Sequence, residues 1–471
     1  MRFSAAATAG RLLPERLAAR AHPLLAHIDA LMSGRDERGA ASRMSLIAFA
    51  IRILNAAIAF ISQVLLARWM GGFEYGIFVL VWVTVVIVGD LSCLGFHTSI
   101  IRYIPEYRAK GRIAELRGVL LTSRVIAFLA STTVAALGAL GIWYFSPSIE
   151  SYYILPFYLG MICLPMISFS DVLQGVARAN SWAVSALAPA YIIRPLLLLV
   201  FMLAAGPAGY EPTAATAVMA AILATYVTTL YQIVSMRRHV DRKLPPEPPR
   251  FLIREWLTVS LPIFLVEGFY FLLTNADVLM VGRFMAPTDV AIYFATVKTL
   301  ALVHFVYFAV KAGAAQRYAA FAHGGDHDQL KGFARETVSW TFWPSLAMGL
   351  VVLALGKPML MLFGPGFDAG YPLLFALVAA VVARSAVGPA ESLLTMTGHQ
   401  KACAAVYAFT LAINIGFNLL LIPAMGLWGA ALSTAVAMLF EASLLSLTVW
   451  RKLGIVMAVF VPARRAQEVT S

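Results

Sequence analysis

Arg68, Trp69, Met70, Gly71, Gly72, Phe73, Glu74, Tyr75, Gly76, Ile77, Phe78 returns about 215 positions later as Arg283, Phe284, Met285, Ala286, Pro287, Thr288, Asp289, Val290, Ala291, Ile292, Tyr293. Each copy is a short polar, glycine- or proline-bearing turn between two long apolar runs, so each reads as a helical hairpin. The register holds beyond the turn. Arg102 and Tyr103 meet Arg317 and Tyr318 at the same offset, and Glu115, Leu116, Arg117, Gly118 meet Gln329, Leu330, Lys331, Gly332 after a shift of one. A repeat of this length in an apolar chain implies two halves built alike, the construction of transporters that rock around a central site.

Composition places the chain in a membrane. It is 61% hydrophobic and 13% charged over 471 residues, and its apolar runs pass the roughly 18 to 20 residues that a helix needs to cross a bilayer. Twelve spans are expected at roughly 46–67, 76–100, 119–145, 152–175, 182–206, 213–236, 257–282, 289–312, 339–363, 372–396, 403–424 and 427–450. Because backbone polar groups in hydrocarbon must be bonded internally, the expected fold is an all-α integral membrane protein. With six spans per half, the repeat must be parallel, and the two turns must share one membrane face.

Lys and Arg fix the orientation. Most of the 36 basic residues fall to the cytoplasm if both termini are cytoplasmic, while Arg68, Arg283 and Lys357 lie outside. Trp182, Trp256, Trp340, Trp343 and Trp450 then mark inner ends, and Trp143, Tyr144, Tyr152, Tyr153 and Tyr371 outer ends. The net charge of +12 is accordingly an address label with an attraction to anionic membrane lipids, and nucleic acid is not an expected partner. The expected organisation is a cytoplasmic tail over 1–45, a first lobe over 46–236, a cytoplasmic linker over 237–256, a second lobe over 257–450 and a tail over 451–471. Leu13, Leu17, Leu24, Ile28 and Leu31 beside Arg16 and Arg20 suit an amphipathic helix on the inner leaflet, though Pro14 and Pro23 argue equally for an irregular basic tail. Pro245, Pro246, Pro248 and Pro249 give the linker an extended form.

No metal motif, Gly-rich nucleotide loop or nucleophile elbow is present, so no cofactor, metal or catalytic residue is expected. Cys93, Cys163 and Cys403 lie in separate spans and read as packing residues. The informative positions are ionisable residues inside spans, which cost a few kcal/mol at a lipid-exposed site and so should face protein or a watery cavity. They are Arg52, Asp90, Asp171, Arg194, Glu267, Asp277, Lys298, Arg384, Glu391 and Glu441, with Asp171 and Glu441 suited first to structural pairing. At about 1.5 Å per residue, Arg52 and Glu267 each lie roughly 24 Å below the arginine of their own turn, and they are repeat mates. Opposite charges at one depth are suited to form an inner gate. Lys298 falls near mid-membrane, and Arg384 and Glu391, seven residues apart, project from one helix face. Arg52, Lys298, Arg384 and Arg194 are the candidate substrate-binding cations; Glu267, Asp277, Asp90 and Glu391 are the candidates for gating or coupling.

Leu65 to Gly111, Ser260-Leu261-Pro262 followed by Asp277, Gly282, Arg283 and Phe284, and Gly398 to Ala431 with Asn418, Pro423, Gly426 and Gly429 resemble the oligosaccharide flippases of the polysaccharide-transport family. That family shares a superfamily with multidrug and toxin antiporters and lipid II flippases. The resemblance implies a V-shaped pair of six-helix lobes around a cavity lined by the first, second, seventh and eighth spans. It also implies a lipid-linked oligosaccharide, usually on undecaprenyl pyrophosphate, flipped outward across the bacterial inner membrane for O-antigen, capsule or exopolysaccharide assembly. A polysaccharide polymerase and chain-length machinery are the implied protein partners. The residues agree: cavity cations suit a pyrophosphate, and moving each negative charge outward releases about 2.3 kcal/mol per 100 mV. Two rivals remain open at this point, a cation-coupled multidrug exporter and a membrane polymerase or ligase of lipid-linked sugars. The first should prefer an acidic, aromatic cavity; the second needs a long outer loop that the chain does not show.

Overall fold

The computed structural model of the protein describes residues 37–240, 242, 244–324 and 327–459, with side chains from 54 onward except at 55, 312, 316, 323 and 324. The amphipathic segment proposed before residue 32 and the end of the C-terminal tail lie outside the described residues, as does the side chain of Arg52.

The first hairpin is one long helical run, α1 (Glu37–Ser92), folded back at Gly71, whose φ of 72° and ψ of 167° only glycine adopts without strain. Leu94 (φ 49°) and Gly95 (φ 77°) then interrupt the second span, which resumes as α2 (Phe96–Ala109). Four more spans complete the first lobe: α3 (Ile113–Phe145), α4 (Ser151–Ala179), α5 and α6 joined through a π turn (Ala183–Ala188, Pro189–Ile193, Arg194–Ala205), and α7 (Ala214–His239). In the second lobe the seventh span breaks at Thr274 and Asn275 between α8 (Ile253–Leu273) and α9 (Ala276–Phe284), and α10 (Pro287–Gly324) returns as the eighth. The remaining spans are α11 (His327–Met361), α12 and α13 in tandem (Tyr371–Ser385, Ala390–Met396), α14 (Gln400–Met425) and α15 (Leu427–Leu453). Among the described residues, 11 helical runs are long and apolar enough to cross a membrane. The longest, Ala56–Ala109, holds two spans across Gly71, so twelve spans stand in two six-helix lobes.

Besides the breaks at Leu94–Gly95 and Thr274–Asn275 inside spans expected as continuous, two features differ from the sequence expectation. The region 313–338, expected as a loop, is almost wholly helix, because α10 and α11 run on into the cytoplasm where hydropathy falls but helix propensity does not. Arg384 and Glu391 do not share a helix. Gly388 at φ 60° and Pro389 separate α12 from α13, since a proline there removes an intrahelical donor.

The two repeat turns touch, so they lie on one face. A Cβ at Gly76 would collide with the Pro287 carbonyl, and one at Gly72 would meet the Thr288 methyl at 3.4 Å. The Arg68 guanidinium reaches across to the second lobe, donating to the carbonyls of Leu362 (2.6 Å) and Met361 (3.2 Å). Glu74 accepts from the Ala214 N–H at 2.7 Å, a carboxylate at a helix N-terminus, which explains an acid in the outer turn. Below the turns, residues 75–81 and their repeat mates 290–296 are buried on every side. These two stretches cross at the outer half of the molecule, with the Tyr75 and Phe294 ring centroids 6.4 Å apart. The protein is therefore closed toward the outside.

The expected linker 237–256 is helical at both ends; residues 245–252 between α7 and α8 form no helix or strand and are strapped to the first lobe. Arg117 donates to the Pro245 carbonyl at 2.8 Å, and the Arg250 N–H donates to Ala114 at 2.9 Å. Glu115 lies between Arg112 (3.2 Å) and Arg250 (3.4 Å) and holds the Arg112 guanidinium above its ordinary range. Just beyond, Trp256 is wholly buried and donates its indole N–H to the Tyr107 hydroxyl at 2.8 Å.

Candidate functional site

Further in, the close packing on α10 ends abruptly. From Val290 to Thr296 every side chain is buried, whereas Lys298, Ala301, Phe308 and Ala309 are exposed. The lobes close around the outer end of this helix and part toward the cytoplasm. Lys298 is the first exposed side chain inward of the packed stretch, 11 residues from Pro287 and hence roughly 16 Å from the outer end. Its ammonium lies 4.7 Å from the Phe294 ring centroid, and among the described residues no carboxylate pairs with it.

A second polar group lies deeper on the cytoplasmic side, between the lobes. His97 of α2 sets its Nε2 3.2 Å from Glu267 of α8 and 3.7 Å from Asp90 of α1. Opposite them, Lys311 of α10 stands 3.0 Å from Glu391 of α13, which also accepts a short hydrogen bond from the Tyr307 hydroxyl. The break at Gly388 and Pro389 places the start of α13 against α10, bringing Glu391 to Lys311. Asp90, His97, Glu267, Lys311 and Glu391, with Tyr270 and Tyr407, line a cavity of about 320 Å³.

The other sequence candidates lie elsewhere. Arg384 is buried and bonded to Glu441 at 2.5 Å, with its guanidinium carbon 4.4 Å from the Tyr307 ring centroid. Pairing fits a charge that burial would otherwise penalise heavily. Asp277 is buried within the second lobe. It accepts from the Tyr293 hydroxyl (2.8 Å), the Val278 N–H (2.9 Å) and the Thr434 hydroxyl (3.4 Å). Arg194 begins α6 directly after the π turn, and its Nε is buried with no hydrogen-bond partner among the described residues. Asp171 accepts from Gln174 at 2.8 Å. Glu267 has the His97 imidazole as its described neighbour.

Sequence reasoning missed His97, Tyr307 and the inward role of Lys311. His97 follows Asp90 by seven residues, and a histidine two turns from an acid in an apolar span was a usable signal. Lys311 falls at the inner end of the expected span 289–312, because nothing in the sequence shows that the helix runs on past it. Among the described residues no group of His, Cys, Asp and Glu could hold a metal ion.

Residues 43–315 match the polysaccharide biosynthesis protein family, and residues 262–420 match the MatE family. No curated protein matches the chain. Among solved structures, it is similar to an inward-facing multidrug resistance MATE family transporter of the MOP superfamily, with a TM-score of 0.68 at 16% identity over 86% of this chain and 94% of that one. The outward-facing conformation of a multidrug resistance MATE transporter gives 0.63 at 15% identity over 90% and 97%. A MOP-superfamily transporter from Pyrococcus furiosus, described by the reverse polarity of its binding pocket, gives 0.63 at 16% identity over 90% and 97%. At such identities the structures establish the fold, and the family match over more than half of the chain establishes membership. This multi-pass membrane protein belongs to the polysaccharide biosynthesis protein family and has the fold of the MATE transporters to which it is similar.

Proposed function

We propose that the protein flips a lipid-linked oligosaccharide, carried on a polyprenyl diphosphate such as undecaprenyl pyrophosphate, from the cytoplasmic to the outer leaflet of the bacterial inner membrane by alternating access. The observation that carries this reading is Lys298. It is an exposed cation at mid-membrane depth, with no carboxylate pairing among the described residues, just inward of the stretch where the two hairpins pack closed. A cation held without a counter-ion in a low-dielectric setting costs several kcal/mol, a cost that an anionic ligand relieves. A diphosphate supplies that ligand while its lipid tail stays in the bilayer. Release would deliver the sugar chain to a polymerase and chain-length machinery outside. The roles inferred are binding and gating, with no catalytic residue, cofactor or metal.

Replacing Lys298 with Ala or Glu should abolish surface-polysaccharide export while leaving the protein in the membrane; Lys298→Arg should retain part of it, because charge is kept and geometry altered. Full export by the Glu variant overturns the role. The carboxylates Asp90 and Glu267 supply a reason to test drug export as well, since cationic drugs favour acidic cavities. A strain lacking the gene that keeps its drug susceptibility but loses surface polysaccharide supports the flippase; the opposite pair of results supports the exporter.

A further inference from the structure

The inner cavity is badly suited to the diphosphate itself. Three carboxylates, from Asp90, Glu267 and Glu391, face it, and its two basic side chains are already engaged by them, His97 with Glu267 and Asp90, and Lys311 with Glu391. An added anion would meet net repulsion in a site only partly reached by water.

The same walls suit a sugar ring. A pyranose presents an apolar C–H face and a rim of hydroxyls that both donate and accept. Tyr270 and Tyr407 stand ring against ring, centroids 5.2 Å apart at an interplanar angle of 49°, and supply aromatic surface for the C–H face. The carboxylates accept hydroxyl protons in charge-assisted bonds, and the Lys311 ammonium donates to a sugar oxygen. Two of the carboxylates and the ammonium are within reach, since the Glu267, Lys311 and Asp90 side chains are 39%, 31% and 25% exposed, while Glu391, at 5%, adds its charge from behind Lys311. At about 320 Å³ the cavity sits at the small end of the roughly 300 to 1,000 Å³ range of ligand pockets, the size for one or two rings. Glu267 lies 17 residues, roughly 26 Å, from the outer end of its span. That is the level of the inner-leaflet headgroups, where the first sugar of a lipid-linked substrate enters.

We propose that this cavity is a saccharide subsite that seats the sugar next to the diphosphate, and that its three carboxylates admit neutral and amine-bearing pyranoses while turning away uronic acids. The inference rests on the flippase reading. Discrimination here is by repulsion, the like charge of a sugar carboxylate facing those of the wall.

The test measures binding to the full-length protein in lipid nanodiscs with four probes: farnesyl diphosphate, and the same lipid diphosphate bearing glucose, glucosamine or glucuronic acid. Glucosyl and glucosaminyl probes should bind about tenfold tighter than bare farnesyl diphosphate, and the glucuronyl probe about tenfold more weakly than the glucosyl one. Glu267→Gln, with its melting temperature as the folding control, should narrow that second ratio to about threefold or less. Wild-type protein alone decides the matter. If bare farnesyl diphosphate binds and the glucose adds nothing, or if glucuronyl and glucosyl probes bind alike, the subsite is overturned and the flippase reading stands; if none of the four binds, the flippase reading falls with it.

Discussion

Arg384 and Glu441 show how an ionisable pair in a span can serve the fold alone. Both side chains are buried and bonded at 2.5 Å, so removing either leaves an uncompensated charge. Arg384→Ala should destabilise the protein by about 3 to 5 kcal/mol, whereas the double variant Arg384→Met, Glu441→Leu should cost less than either single change. Denaturation midpoints of the three purified variants check this, and additivity would contradict it. Nothing in the sequence separates Arg384 from Lys298, both basic and both mid-span; what separates them is Glu441, 57 positions away. The polar site was legible as a set of residue types and illegible as pairs, because partners come from different spans. Arg52 and Glu267 remain a proposed gate: reversing both charges should restore part of the export lost by Arg52→Glu or Glu267→Arg alone. A swap that equals the sum of its singles ends that idea.

Among the elements, the two hairpins bear most directly on transport. Gly76 fits against the Pro287 carbonyl with no room for a Cβ, so the outer seal depends on a missing side chain. Gly76→Leu should hold the outer ends apart and stop export while sparing membrane insertion. Spin-label distances between the outer ends of α3 and α11 would lengthen; unchanged distances would show that the seal lies elsewhere. These hairpins were legible because their glycines, proline and flanking apolar runs recur in register. The helix breaks were not. Thr274 and Asn275 interrupt an apolar run with residues that helices tolerate, and the ends of α10 and α11 lie in water, where hydropathy carries no message. At Gly388 and Pro389 a local signal existed, and it was overridden by the apolar run around it.

For the whole molecule, alternating access requires the outer seal to open and reclose. Gly72 and Thr288 face each other across it, so cysteines at both positions should form a disulfide that locks the protein closed outward. The three native cysteines are buried and free, which leaves the engineered pair to react alone. Export should stop under oxidation and recover on reduction; transport that continues with the bridge formed would exclude the rocking cycle. The twelve spans, their orientation and the parallel relation of the halves follow from hydropathy, basic residues and the repeat. Closure at one face does not, since a single sequence must serve every state of the cycle.

The helix breaks sit at different places in the two copies. The interruption at Leu94 and Gly95 corresponds to 308–310, where α10 runs unbroken, and the one at Thr274 and Asn275 corresponds to 59–60, inside the unbroken first arm of α1. The copies have therefore ceased to be spare versions of each other. Gene conversion that overwrote one half with the other would soften a helix that must stay rigid and stiffen one that must bend. Selection should accordingly hold the halves apart in sequence, and a tandem chain made of two first halves should insert into the membrane without transporting anything.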